Sequence, residues 1–125
     1  GLGVGARLPA YCSATGRVLL SALPKTDVEF LLNRMSRPAF TPRTLTNIRD
    51  ILREIQVVHT QGYAISDEEL EIGLRSIAVP IRNAAGEMIA ALSLSVSTSR
   101  MTRASIVEKL LPELETARRN FATLL

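Results

Sequence analysis

Small polar residues from Ser13 to Thr15 stand directly before a helical pattern in the segment YCSATGRVLLSAL, which covers residues 11–23. The first N–H groups of a helix lack acceptors within it, and together with the helix dipole they attract an anion. Small side chains at this point would let a carboxylate come close to those groups. Ser13 could instead simply cap the helix, a role that contributes about 1 kcal/mol. The segment alone favours the cap.

A second set of hydroxyl groups lies in two strand-like segments, LRSIAVPI and EMIAALSLSVS, which are joined by RNAAGE. With residues 83–86 as a four-residue loop, the pairing of the two strands places Ser76 opposite Ser93. Side-chain alternation then predicts one face with five small residues: Ser76, Ala78, Ala91, Ser93 and Ser95. This face is either a floor of hydroxyls beneath a small polar ligand or a layer packed under a helix.

Other reactive side chains have simpler explanations. Arg17 would pair either with an incoming carboxylate or with an acid on the surface, and the sequence leaves both open. Cys12, His59 and Asp67 could act as nucleophile, base and orienting acid. However, no nucleophile-elbow pattern surrounds the cysteine, and the histidine lies near a helix end that favours its charge. The acidic run at 67–69 is typical of a solvated turn, so we predict neither a catalytic residue nor a metal site.

The composition is that of one globular domain. The chain has 125 residues, of which 46% are hydrophobic and 22% charged. The net charge is +3 and the pI about 9.6, but the basic residues are scattered and the largest cluster is the pair Arg118-Arg119. Direct binding of DNA needs a concentrated basic stripe, so this pattern argues against it.

The single cysteine excludes an internal disulfide and favours a reducing compartment, so the expected location is the cytoplasm. No apolar run reaches the ~18 residues of a membrane span, and no signal-like leader is present. We expect no membrane partner. Because the sequence begins at Gly1 rather than at a methionine, we also expect it to be a piece of a longer chain.

The elements predict an α+β domain. We expect helices at 13–23, from a capping box at Thr26–Glu29, from a Thr46 cap to Gly62, and from Arg103, with a kink or a break at Pro112. Strands are expected in YAISD and in the two segments above, and the loop at 36–46 is a candidate lid. Two or three strands are too few for an independent sheet, so partner strands would come from outside this sequence or from another chain.

Three blocks, RLPAYCSATGRVLLSALP, GYAISDEELEIGLRSIAVPI and AALSLS, occur in this order across the chain. Together they resemble the C-terminal effector-binding domain of the IclR family of bacterial transcription regulators. The first block is similar to the subgroup that controls protocatechuate and 4-hydroxybenzoate breakdown, the β-ketoadipate pathway regulators. Many other family members have Lys where this sequence has Arg17.

This resemblance implies a GAF-like fold, with a curved antiparallel sheet, helices on both sides and a pocket on one face. Two further strands and a winged helix-turn-helix domain would precede Gly1, so residues 1–125 would be an N-terminally incomplete ligand-sensing domain. Such domains bind small carboxylic acids and form homodimers or tetramers. DNA would be bound only through the N-terminal domain, no cofactor is implied, and the protein would not be an enzyme.

Carried over by position, the ligand contacts of the family fall on seven residues: Leu8, Ala14, Thr15, Ser66, Ser76, Ser93 and Ser95. Three of these serines were already placed by alternation on the small polar face. The family has an acid where Ser66 stands and often a cysteine where Ser76 stands, so Asp67 or Glu68 would have to replace the acid.

The resemblance therefore predicts a domain that senses a small carboxylic acid and controls catabolic genes, with an aromatic acid or a β-ketoadipate-pathway intermediate as effector. The carboxylate would dock at the N–H groups of Ala14 and Thr15, the serines would bind the other polar end, and Leu8 would close the apolar side. The alternatives are a sensor of small keto acids such as glyoxylate or pyruvate, an oligomerisation module without a ligand, and an enzyme that uses Cys12.

Overall fold

The computed structural model describes residues 7–124, and within them the chain forms five helices and one three-stranded sheet. This confirms the predicted α+β class. In chain order the elements are α1 (Ala14–Leu20), α2 (Lys25–Arg34), α3 (Ile48–Gln61), β1 (Ala64–Asp67), β2 (Leu74–Arg82), β3 (Met88–Ser97), α4 (Arg103–Lys109) and α5 (Leu111–Ala122).

Two helix starts differ from the prediction. α2 begins at Lys25 directly after Pro24, which occupies the N-cap position without a side-chain hydrogen bond. The capping box predicted from Thr26 is therefore wrong, because the proline begins the helix before that residue is reached. α3 is capped by Asn47 rather than by Thr46, since the asparagine side-chain oxygen accepts hydrogen bonds from the N–H groups of Arg49 and Asp50.

α1 ends at Leu20, three residues before the predicted end at Leu23, whereas the end of α3 and the start of α4 agree with the prediction. α3 stops at Gly62, whose φ of 86° is the left-handed conformation that glycine adopts without strain. Thr102 caps α4, as predicted. Pro112 lies in the first turn of α5, where a missing N–H costs nothing. It therefore separates the two last helices instead of kinking one.

The sheet is antiparallel in the order β1-β2-β3. In the second pair, Ser76 lies opposite Ser95 and Ala78 opposite Ser93, with an irregularity between Ile81 and Arg82. The predicted pairing of Ser76 with Ser93 is thus wrong by two residues. A shift of two preserves the face of every side chain, so the predicted five-residue face is confirmed.

Helices cover both faces of the sheet. Ile77 and Val79 on one face are fully buried against Ile106 of α4 and Leu114 of α5. On the other face Ala64 and Ala78 pack against Val18 of α1. The small side chains thus have a packing role, because they let α1 lie close to the sheet.

A buried ion pair joins α1 to the acidic turn after β1. The guanidinium of Arg17 donates to both carboxylate oxygens of Glu69, at 2.5 and 2.6 Å, and its Nε donates to the Tyr11 carbonyl at 2.9 Å. The arginine side chain is only 1% exposed and that of the glutamate 7%. The same carboxylate accepts the Leu45 N–H at 3.0 Å, so one acid holds helix, turn and loop together.

The loop at 36–46 is anchored to the same turn. Thr41 and Thr44 are buried, and their hydroxyls donate to the carbonyls of Glu68 and Glu69, each at 2.6 Å. The Tyr11 hydroxyl holds the other end of the loop through the Pro38 carbonyl at 2.5 Å. The lid role predicted for this loop stays a prediction.

Replacing the acid of the ion pair should be costly. Glu69→Gln leaves the buried Arg17 charge without its partner, and we expect a loss of about 3–5 kcal/mol in the free energy of unfolding. Urea denaturation followed by circular dichroism measures it.

The matched control is Glu71→Gln in the same acidic segment. This side chain is exposed, so its loss should stay within about 0.5 kcal/mol. Equal losses in the two variants would show that the buried pair has no special weight.

Candidate functional site

Three serines form a row across the sheet. Ser66 of β1 pairs with Ser76 of β2, which in turn pairs with Ser95 of β3. The Ser76 and Ser95 hydroxyl oxygens are 2.8 Å apart and share a hydrogen bond. Ser66 and Ser76 are buried, whereas Ser95 is exposed. The row therefore runs from the core to the surface and joins three of the predicted site residues.

Ser93 belongs to the next row on the same face. It lies opposite Ala78, which is paired on its other side with Ala64. Both alanines are fully buried under α1, whereas Ser93 is exposed. The two interpretations of the small face thus apply to different parts of it: the alanines form a packing layer, and the serines of β3 offer hydroxyls at the surface.

The start of α1 carries the other predicted contacts. The Ser13 hydroxyl accepts the Gly16 N–H at 3.1 Å, which makes the serine the N-cap. The N–H groups of Ala14 and Thr15 have no acceptor among residues 7–124. Ala14 is buried and Thr15 half-buried. Capping and anion binding are therefore compatible, because the cap uses a different N–H from the two predicted to meet a carboxylate.

The sheet and this helix start are in direct contact. The Ser66 hydroxyl donates to the Cys12 carbonyl at 2.7 Å, and Cys12 precedes the cap residue Ser13. The buried end of the serine row thus adjoins the segment that leads into α1. Residues far apart in sequence meet at one place.

The structure corrects the expectations for Arg17. Its guanidinium is buried and engaged by Glu69, so it is neither a surface ion pair nor open to an incoming carboxylate. Its partner Glu69 was missed by the sequence reasoning. The only signal was its place in a run of acids, which does not tell a buried acid from a solvated one.

Asp67 also lies away from the serine row. It follows Ser66 in β1 and so points to the opposite face. There it accepts from Arg75 at 2.9 Å and lies 3.5 Å from Arg43. Asp67 does not take the place of an acid at position 66.

Glu68 does not replace that acid either. Its φ is 58°, a turn conformation, and its carboxylate binds Arg43 and the Gly73 N–H at 2.7 and 2.8 Å. The row at Ser66, Ser76 and Ser95 is therefore built from uncharged hydroxyls.

Leu8 is 42% exposed and belongs to none of the buried apolar clusters of residues 7–124. Its predicted contact with an effector stays a prediction.

The acidic turn has its charges compensated by arginines, namely Arg17, Arg43 and Arg75. Within residues 7–124 no three His, Cys, Asp or Glu side chains come together as candidate metal ligands. None of the described helices is long and apolar enough to cross a membrane.

The arrangement does not favour a nucleophilic cysteine. Cys12 is fully buried, and burial, followed by the charge of Glu69, raises the pKa of its thiol to about 11. The thiol is thus neutral at physiological pH, whereas the reactive form is the thiolate. His59 is exposed near the end of α3, with Nδ1 3.3 Å from the Ser21 carbonyl oxygen. Asp67 is engaged by Arg75, so the three residues form no triad.

The raised pKa makes stability depend on pH. Above pH 9 the cysteine of the unfolded chain loses its proton, but the folded thiol keeps it until about pH 11. The unfolded state then binds fewer protons, so the free energy of unfolding should fall across this window by about 2–3 kcal/mol. Urea denaturation between pH 8 and 11 measures the fall. In Cys12→Ala it should be smaller, with the remainder from other groups such as Tyr11; equal slopes would contradict the assignment.

Comparison with known proteins agrees with these features. The family model of the bacterial transcriptional regulator IclR C-terminal domain matches residues 2–122. The Pca regulon regulatory protein of Pseudomonas putida is 45% identical over 119 residues, which are 95% of this chain and 41% of that protein. The p-hydroxybenzoate hydroxylase transcriptional activator of Acinetobacter baylyi is 37% identical over 112 residues, which are 90% of this chain and 41% of that protein.

A solved structure is similar over nearly the whole chain. It is a double mutant of the PobR transcription factor inducer-binding domain from Acinetobacter, in complex with 3-hydroxybenzoic acid. The TM-score is 0.93 at 33% identity, over 98% of this chain and 70% of that one.

The chain spans about two-fifths of the length of these curated relatives. The comparisons confirm the resemblance predicted from the sequence, including the protocatechuate and hydroxybenzoate subgroup. The chain belongs to the IclR family of bacterial transcriptional regulators and matches its C-terminal domain.

Proposed function

We propose that this chain is the effector-sensing part of a regulator and binds a small aromatic carboxylic acid or a related acid of the same breakdown pathway. The observation that carries the proposal is the row of Ser66, Ser76 and Ser95, whose buried end touches the segment leading into α1. A row of hydroxyls beside open helix N–H groups offers polar contacts to both ends of a hydroxylated acid.

The charge of this region suits an anion. The serine row is uncharged, and the nearby acids Asp67, Glu68 and Glu69 are each paired with an arginine. In the proposed pose the carboxylate accepts from the N–H groups of Ala14 and Thr15. The ring hydroxyls bind the exposed serines of β3, and Leu8 covers the apolar edge.

The relatives support the choice of acid. Their names concern the pca genes and p-hydroxybenzoate hydroxylase, and the similar solved domain was crystallised with 3-hydroxybenzoic acid. By analogy, the whole protein would act in the cytoplasm as a homodimer or tetramer. It would control catabolic genes through a winged helix-turn-helix domain outside this sequence.

Regulation requires more than binding. An effector shifts a regulator only when it binds two conformational or quaternary states with unequal affinity. The loop at 36–46 is the proposed reporter, because its anchors on Glu68 and Glu69 lie directly after β1, which supplies Ser66. A ligand that moves β1 would move this loop.

The effector class can be tested by thermal shift. We expect protocatechuate or 4-hydroxybenzoate to raise the melting midpoint, and β-ketoadipate, glyoxylate and pyruvate complete the panel. At a hundred times its dissociation constant a ligand adds about 2.7 kcal/mol, which corresponds to roughly 10 °C for a domain of this size.

Each outcome has a distinct meaning. A shift with the keto acids alone would keep the sensor and exclude the aromatic effector. If neither this chain nor the full-length protein shifts with any acid, the small face only packs and the proposal fails.

The serines of β3 can be tested directly. Ser93→Ala and Ser95→Ala should each weaken binding of the active acid by about 1 kcal/mol or more, because each variant lacks a serine hydroxyl that hydrogen-bonds the ligand. Isothermal titration calorimetry measures the change. Ser97→Ala is the matched control, since this serine lies farther along β3 and bonds Ser99 instead. Unchanged dissociation constants in the first two variants would remove these serines from the site.

A further inference from the structure

A groove runs along α3 on the side of the domain formed by the helices. It lies between α2 and α3 and reaches the residues after α1, with a volume of about 820 Å³. Ser21 and Leu23 line it, whereas the candidate effector site adjoins Ser13 at the opposite end of α1. The groove is thus separate from that site, and binding in it would not depend on the proposed function.

The floor of the groove is apolar. Val28 of α2 and Ile55 of α3 are buried at its base. Leu23 and Val57 also line it and are each 41% exposed. Leu52 of α3 also lines the groove and is half-buried. These side chains offer apolar surface on which the apolar face of a helix could pack.

The rim of the groove is basic. Lys25, Arg49 and Arg53 line it, against one acid, Glu29. The Lys25 Nζ lies 3.9 Å from Oε1 of Glu29, and both side chains are exposed, so this ion pair contributes little. Arg49 makes no ion pair within residues 7–124.

A second groove of about 840 Å³ continues the first toward the start of α3. The two share Ile48, Arg49 and Arg53, and the second adds Arg37. Its acid is Asp50, which lies 3.8 Å from Arg53 in an exposed pair. Together the linings of the two grooves hold four cations and two acids, of which Arg49, Arg53 and Asp50 lie on α3. The Arg37 guanidinium donates to backbone carbonyls beside the groove, so it is less open to a partner than the cations of α3.

We propose that this groove is a docking site for an acidic amphipathic helix of a partner protein. Apolar side chains of that helix would fill the base over Val28 and Ile55, and its carboxylates would meet Arg49 and Arg53. The 14 residues of α3 span about 21 Å, enough for roughly four turns of a docked helix. A second copy of this chain is a poorer fit, because its own net charge is +3.

The test uses two labelled probe peptides of about 16 residues, long enough to match α3. Both peptides carry leucine at every third or fourth position, which forms an apolar face. The opposite face carries glutamate in one peptide and lysine in the other, and alanine fills the remaining positions of both. Fluorescence anisotropy against the chain should show the glutamate probe binding at least about ten-fold more tightly, with an affinity that falls as salt rises.

Variants assign the binding to the groove. Arg49→Glu with Arg53→Glu, and separately Val57→Asp, should each weaken the glutamate probe about ten-fold or more, because they reverse the rim charge or place a charge among the apolar contacts. The matched control is Arg82→Glu with Arg100→Glu, two exposed arginines elsewhere, which should bind like the parent. Circular dichroism checks that each variant is folded.

Three results would overturn the proposal. One is equal binding of the two probes. Another is binding that survives the groove variants. The third is concentration-dependent self-association in sedimentation velocity that the double groove variant abolishes, because the occupant would then be a second copy of this chain.

Discussion

The buried ion pair between Arg17 and Glu69 is the interaction on which the arrangement of this domain depends. Both charges are almost completely removed from water, a cost that is recovered only when geometry and additional hydrogen bonds are good. Here the contact is bidentate, and the carboxylate also accepts the Leu45 N–H. Because three segments converge on one acid, the position of α1 relative to the sheet is tied to the turn after β1.

Close packing of α1 completes this arrangement. A Cβ added to Gly16 would lie 2.4 Å from the Ala10 Cα and 2.5 Å from its carbonyl oxygen, so only glycine fits beneath the entering chain. The buried alanines Ala64 and Ala78 have the same effect on the sheet side. The helix start is therefore held close to the sheet by backbone contact, ion pairing and small side chains together.

The division of the small face explains why two interpretations of it were both reasonable. Its buried rows serve packing, and its exposed end on β3 offers Ser93 and Ser95. The serine at position 66 uses its hydroxyl to fasten the sheet to the Cys12 carbonyl. An ionised carboxylate there could not donate to that carbonyl and would first have to be protonated, so the serine makes this link without a buried charge.

Local patterns in the sequence were enough to predict the element types, the cap at Ser13, the end of α3 at Gly62 and the five-residue face, because caps, turns and alternation depend on neighbouring residues. They could not predict the strand partners, since Arg82 pairs with Met88 instead of Glu87 and the irregularity between Ile81 and Arg82 adds one more residue to the shift. Nor could they find the partner of Arg17, which lies 52 residues away. Which acid becomes buried, and which hydroxyls meet, is decided only when distant segments pack together.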